Sequence, residues 1–212
     1  MLPGGLGRGE TAMKKIAGLM AGAGMAGLLA VGEVCARQAA AGAQQPAANA
    51  QEMAKLGTIP NPVSAAVKGI QPRYQKNMVA AAEAMPAEKY GFKPSPEMNS
   101  YGHLVMHIAQ SNNMFCSKIS GAAAPDVKYS DSDPKDKLVA MLKASFEYCT
   151  TALANVDDSK LGDQMMLFGN RPASRAAAMI MLAGSWTDHY ATQAIYLRLN
   201  GILPPTAQPA KP

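Results

Sequence analysis

The chain has 212 residues, 20 of them basic and 15 acidic, with 48% hydrophobic residues and only 6% aromatics. That length suits one ordinary domain with a sizeable core and is short for two. A net charge of +5 with no block of Lys or Arg excludes a partner held by nucleic-acid phosphates, and the charges read as solvated helix faces.

The N-terminus has the pattern of a targeting segment. Met13-Lys14-Lys15 is a short basic region, Ile16 to Val31 is an apolar run rich in Ala, Gly, Leu and Met, and Ala36 and Ala41-Gly42-Ala43 offer small residues for cleavage. The run is too short and too rich in Gly and Ala for stable membrane insertion, which needs roughly 20 strongly apolar residues. Cys35 follows Glu33-Val34 and so lacks the setting of a lipid-anchored cysteine. We therefore expect residues 1–43 to be a signal peptide, with Met13 an alternative start, and the mature protein to be secreted or periplasmic. Cleavage after Ala43 removes Arg8, Lys14, Lys15 and Arg37 with Glu10 and Glu33, leaving a small positive balance. It also leaves two cysteines, Cys116 and Cys149. In an oxidising compartment these are expected to pair, and two separate buried thiols are the alternative.

Residues 44–60 form an Ala/Gln-rich leader without a packing pattern, closed by Thr58-Ile59-Pro60-Asn61-Pro62. A first helix is predicted over Val63 to Met85, with Val67, Ile70, Tyr74, Met78 and Ala81 at helical spacing and Pro72 expected to kink or divide it. Pro86 to Asn99 reads as a crossing loop with packed aromatics, Tyr90 and Phe92. A second helix runs from about Pro96 or Met98 to Ile119 on the stripe Tyr101, Leu104, Val105, Ile108 and Phe115, and Gly121 ends it. Asp133 as N-cap and Pro134 in the first turn open a third helix, reaching about Asn155 through Leu138, Leu142, Phe146, Cys149 and Leu153. Residues 156–170 are a connection containing a short apolar piece, Met165 to Phe168. A fourth helix starts near Pro172-Ala173-Ser174 and ends at Leu199, before Asn200-Gly201 and Pro204-Pro205. No strand pattern stands out. The pattern predicts an all-α four-helix bundle over 61–205 with a loose tail, 206–212, and the long loop after the first helix leaves room for a crossover connection.

Three histidines are the residues most able to carry chemistry. His103 and His107 are four apart on the second helix and share a face, and His189 lies in the middle of the fourth. His107 and His189 each flank an apolar stripe, where side chains of two packed helices converge on a shared cavity. Neutral imidazole is a common ligand for zinc and related ions, and three His with a water form an open catalytic arrangement. Ser185 and His189 are also one turn apart, a spacing shared by nucleophile and base, but no strained turn presents the serine and nothing marks an oxyanion hole. Trp186 and Tyr190 read as packing residues, the many Met as core filler, and Arg198 as an ion-pair or capping residue at the helix end.

The segment Tyr101 to Gly121, with Leu104-Val105-Met106 before His107, resembles the second-helix motif of the DinB-like family. The segment His189 to Pro205 is similar to its last helix, in which a His precedes the Arg of a Tyr-Leu-Arg run by nine residues (here Arg198) and a Gly and prolines follow. The resemblance covers about residues 60–205. It implies a four-helix bundle of up-down-down-up topology, often dimeric, so that a homodimer is expected. It also implies a divalent metal, commonly zinc or nickel, held by one His of the second helix and a His-x3-His pair of the fourth. Related proteins include thiol S-transferases and metal-dependent hydrolases.

This chain departs from the motif at one ligand: the first position of the His-x3-His pair is Ser185. His107 and His189 match the motif, His103 is an addition one turn away, and Asp188 and Gln193 are nearby polar candidates. Two readings follow. One is an exported divalent-metal enzyme, with His107, His189 and His103 as ligands, acting on a small molecule as a hydrolase or thiol transferase. The other is a bundle that has lost catalysis and serves small-molecule binding or self-association.

Overall fold

In the computed structural model, residues 52, 53, 55–169 and 171–209 are described, and the body of the chain from Ile59 onward is a unit of its own. The expected signal peptide, Cys35 and most of the leader lie outside the described residues.

Four helices make the body: α1 (Pro62–Ala84), α2 (Tyr101–Ser120), α3 (Lys135–Leu153) and α4 (Arg175–Leu199). Three of them, α1, α2 and α4, begin where a side chain satisfies free N–H groups of the first turn. Pro62 takes the first position of α1, where a missing N–H costs nothing. The cap itself is remote, with Asp158 accepting from Val63 N at 2.9 Å and Ser64 N at 2.8 Å. Ser100 caps α2 by accepting from His103 N, and Ser174 caps α4 by accepting from Ala177 N. Gly121 and Gly201 adopt positive φ and end α2 and α4.

Two expectations about helix ends and breaks need correction. Pro72 does not divide the first helix: α1 is one element through it. A proline inside a helix costs about 3 kcal/mol. Tertiary contact offsets that here, because Val67, Tyr74 and Met78 are buried and Gln71 Nε2 donates to Phe146 O (3.0 Å) and Thr150 Oγ1 (2.7 Å). Asp133 is not the cap of α3, which starts at Lys135 with Pro134 in the cap position. The Asp133 carboxylate accepts from Lys137 Nζ at 2.9 Å instead.

Hydrogen bonds between helices give the topology. Gln71 of α1 reaches Phe146 of α3 while Lys135, at the start of α3, reaches Glu83 near the end of α1, so these two run antiparallel. Tyr74 meets Thr187 and Met78 meets Gln193, so α1 and α4 are parallel. Asn112 bonds Ser145, and the Cys116–Cys149 disulfide joins α2 to α3 one turn further along both, so these are parallel as well. The result is the up-down-down-up arrangement. The crossover expected after the first helix lies instead between the parallel α2 and α3, whose loop runs back along the bundle from Gly121 to set Asp131 beside Gly102 and His103. The aromatics of the α1–α2 loop are packed: Tyr90 donates to Ala82 O at 2.7 Å and meets Tyr101 edge-on, while Phe92 meets Tyr196.

The connection between α3 and α4 holds a short antiparallel hairpin, β1 (Gln164–Leu167) and β2 (Arg171–Ser174), with Leu167 opposite Arg171. The sequence reading had no strands here. Phe168 and Gly169 carry positive φ in the turn, and Phe168 packs edge-on against Phe115. After α4, Thr206 is tied to Tyr190 OH through its N–H and its hydroxyl.

The centre of the bundle is a buried polar triad within an apolar core. Asn112 Oδ1 accepts from Trp186 Nε1 at 2.8 Å and Asn112 Nδ2 donates to Ser145 Oγ at 3.0 Å, with Phe146 and Tyr74 against the indole. Trp186, Phe146, Leu142 and Leu182 are fully buried around it. No helix among the described residues is long and apolar enough to cross a membrane.

Candidate functional site

His107 and His189 come together where α2 and α4 pack antiparallel. Leu104, Val105 and Ile108 turn into the core, which sets the adjacent His107 at the edge of the helix facing α4. Trp186 and Gln193 are buried on α4, which sets His189 on the matching flank. The two rings meet edge to face, with centroids 5.1 Å apart and planes at 86°. His103 stacks nearly parallel to His107 at 6.3 Å, and its Nδ1 stands 3.2 Å from Asp131 Oδ2. Gly102 favours that approach: a Cβ there would lie 3.1 Å from the Asp131 carbonyl oxygen, so the loop would have to give by a few tenths of an ångström.

Each histidine of the central pair also has a serine one helical turn away. Ser185 Oγ is 3.0 Å from His189 Nδ1, and Ser111 Oγ makes a long contact of 3.5 Å with His107 Nε2. Asp131, His103, His107, His189 and Ser185, with Ser111 beside His107, thus form one polar row across the α2–α4 seam. Asp131 and Ser111 are the members that reading the sequence missed. Ser111 was legible as His-x3-Ser, the reverse of Ser185-x3-His; Asp131 was not, because it is brought in by the loop before α3.

Loss of solvent holds the pKa of His107 below the ordinary imidazole range, and the neighbouring His103 adds to this. His189 is lowered in the same direction by burial first and His107 second, against an opposing pull from Asp188. Both imidazoles are therefore neutral at pH 7, each with one N–H and one lone pair. The Ser185 contact decides which atom of His189 faces a ligand as acceptor. If Nδ1–H donates to the serine, the Nε2 lone pair is free; if the serine hydroxyl donates, Nε2 carries the proton.

The remaining candidates lie apart from this pair. Asp188 is exposed on α4. Gln193 is fully buried, its Nε2 donating to Met78 O at 3.3 Å and its Oε1 without a protein partner. Arg198 reaches back to Ala194 O of its own helix.

The residues present do not complete a three-donor metal centre. Two neutral imidazoles are available, but the third position is a serine hydroxyl engaged with His189, and His103 turns its Nδ1 to Asp131. Among the described residues, no group of three or more His, Cys, Asp or Glu is placed to hold an ion. A zinc site ordinarily takes three or four protein ligands, so this donor set is one short.

Comparison with known proteins gives a consistent picture of the fold. The model of the DinB superfamily matches residues 73–192. A DinB-like protein of Bacillus subtilis has a similar structure at 20% identity and a TM-score of 0.55, covering 68% of this chain and 99% of that one. A DinB-like protein of Bacillus cereus is similar at 14% identity and a TM-score of 0.51, covering 62% and 89%. The mycothiol-dependent maleylpyruvate isomerase is similar at 11% identity and a TM-score of 0.50, covering 60% and 59%. No curated protein matches the sequence.

Proposed function

The chain belongs to the DinB superfamily, and we propose that it is an exported member that binds a small molecule at the His107–His189 pair without the three-donor metal centre that the family motif implies. The observation that carries this reading is the Ser185–His189 hydrogen bond of 3.0 Å, which puts a hydroxyl where a third imidazole would complete the site. Two neutral imidazoles in edge-to-face contact offer a proton acceptor and a proton donor side by side. That arrangement suits a small protic ligand such as a thiol, a phenol or a carboxylic acid, whose acidic hydrogen is taken by a ring lone pair while a ring N–H returns a hydrogen bond.

Export rests on the basic and apolar pattern of residues 13–43 and on the Cys116–Cys149 bridge, since disulfides persist in oxidising compartments. N-terminal sequencing of the mature protein from a secreting host is expected to begin at Gln44.

A second reading, a divalent-metal enzyme, is favoured by one observation. His107 and His189 are neutral, adjoin across two helices and stand at the two positions that match the family's ligands. Zinc or nickel there would supply Lewis-acid activation, with His107 and His189 as its protein ligands. One similar fold, the isomerase above, is an enzyme.

The two readings separate in a thermal-shift screen of small thiols, phenols and carboxylic acids run with and without added zinc. The binding reading expects stabilising compounds that act without metal and lose their effect in the His107→Ala/His189→Ala variant. A screen in which every hit needs zinc, or in which no zinc-independent hit is lost in that variant, would overturn it.

A further inference from the structure

α4 is apolar on two opposite faces. One face supplies Met179, Leu182, Trp186 and Leu197 to the core. The other turns Ile180, Met181, Ile195 and Leu199 outward, 42–64% exposed, with Gly184 and Ala191 exposed between them. Asp188 and Arg198 are the only exposed charged residues of the helix. α3 shows the ordinary pattern: its exposed positions carry Asp136, Lys137, Lys143 and Glu147 and no large apolar side chain. A helix that is apolar all round has both faces buried, and within one copy of the chain only one face of α4 is covered.

Gly184 fits a contact from outside. Glycine inside a helix is destabilising and is kept where something packs close to it. A Cβ at Gly184 would meet nothing within 4 Å among the described residues, so the chain itself does not require the glycine there.

The order of residues along this face identifies the occupant. Read from either end it runs large, small, small, large, as Ile180, Gly184, Ala191 and Ile195, with the same spacing in both directions. All four fall within about 60° of arc around the helix. A face with that order is its own complement when a second copy lies antiparallel across a two-fold axis between Thr187 and Asp188. Ile180 then meets Ile195 of the second copy, and Gly184 meets Ala191. The small residues let the two backbones approach, and the isoleucines close the ends.

We propose that this face binds a second copy of the chain, α4 against α4 and antiparallel. The strip from Ile180 to Leu199 is about 30 Å long. Burying it removes roughly 500–600 Å² of surface per copy, which brings the pair to the lower end for a specific interface and makes the dimer a reversible one. Asp188 stands beside the axis and approaches its own copy, and the like charges weaken the association.

Sedimentation velocity of the mature, disulfide-bonded protein is expected to show a concentration-dependent equilibrium between monomer and dimer. Ile180→Lys/Ile195→Lys should leave a monomer with an unchanged helical circular-dichroism spectrum, because both positions are exposed in a single copy. Asp188→Asn should tighten the dimer severalfold. Ile180→Cys/Ile195→Cys is expected to oxidise to a covalent dimer, whereas Ile180→Cys alone should not, since its two copies stand about 20 Å apart at opposite ends of the pair. A protein that stays monomeric at every concentration would overturn the proposal, including one that uses this face to bind lipid vesicles instead. A dimer indifferent to Ile180→Lys/Ile195→Lys would do the same, and a covalent dimer formed by Ile180→Cys alone would overturn the antiparallel pairing.

Discussion

Ser185 Oγ and His189 Nδ1 lie 3.0 Å apart on one face of α4, one helical turn from each other. An imidazole at 185 would share that face and meet His189 and His107 across the seam. Replacing this one side chain therefore tests whether the bundle still has the geometry of a metal centre. Ser185→His is expected to take up zinc at one ion per chain where the wild-type protein does not, and His107→Ala in that background should abolish the uptake. A Ser185→His protein that stays empty would mean that the α2–α4 spacing, and not the missing ligand, is what denies the metal.

The histidine pair should also leave its mark on stability. Both folded-state pKa values lie below the ordinary value of 6.5, so the unfolded chain binds protons at these positions before the folded one does. The stability contributed by keeping them neutral is fully present above pH 6.5 and is lost as the pH falls below it. Melting temperature is expected to fall more steeply between about pH 7.5 and 5.5 in wild type than in His107→Gln/His189→Gln. Parallel profiles would contradict the lowered pKa values.

Cys116 and Cys149 are 33 residues apart in sequence with Cα atoms at 5.2 Å, and the bridge ties α2 to α3. Cross-linking a loop of that size restricts the unfolded chain by about 3–4 kcal/mol. Cys116→Ser/Cys149→Ser is expected to lose stability of that order in denaturant titration, while wild type shows no free thiol before reduction. Two alkylatable thiols in native, exported protein would contradict the bridge.

Asn112 is the shared partner of Trp186 and Ser145 in the core. Asn112→Ala strands the indole N–H in an apolar setting and opens a cavity. It should cost at least about 2 kcal/mol, read as a lower denaturant midpoint at unchanged slope. A loss within experimental error would show that water takes over both bonds.

The four helices were legible because each carries a long stripe at helical spacing between strong punctuation, such as Ser174 before α4 and Gly121 after α2. The parallel pairing of α2 with α3 was not written in any stripe; it rests on contacts such as Asn112–Ser145 that only the fold brings together. The hairpin escaped because its strands are four residues each, too short for alternation to register, and because Pro172 reads as a helix start. Pro72 misled for the opposite reason: a local penalty is visible in sequence, while the packing of Gln71 and Tyr74 that offsets it is not. At the site, the flanking positions of His107 and His189 were readable, and their rings meet at 5.1 Å. The partner of His103 was not readable, since Asp131 lies 28 residues away in a loop.

The central claim is that His107 and His189 form a two-imidazole site that does not by itself hold a metal. Elemental analysis of the mature protein, residues 44–212, exported in a host and purified without chelator or affinity metal, tests it most directly. The account predicts substoichiometric zinc and nickel, and no tight uptake when either ion is added back. One firmly bound divalent ion per chain, lost in His107→Ala/His189→Ala, would contradict it and make the metal-dependent enzyme the correct reading.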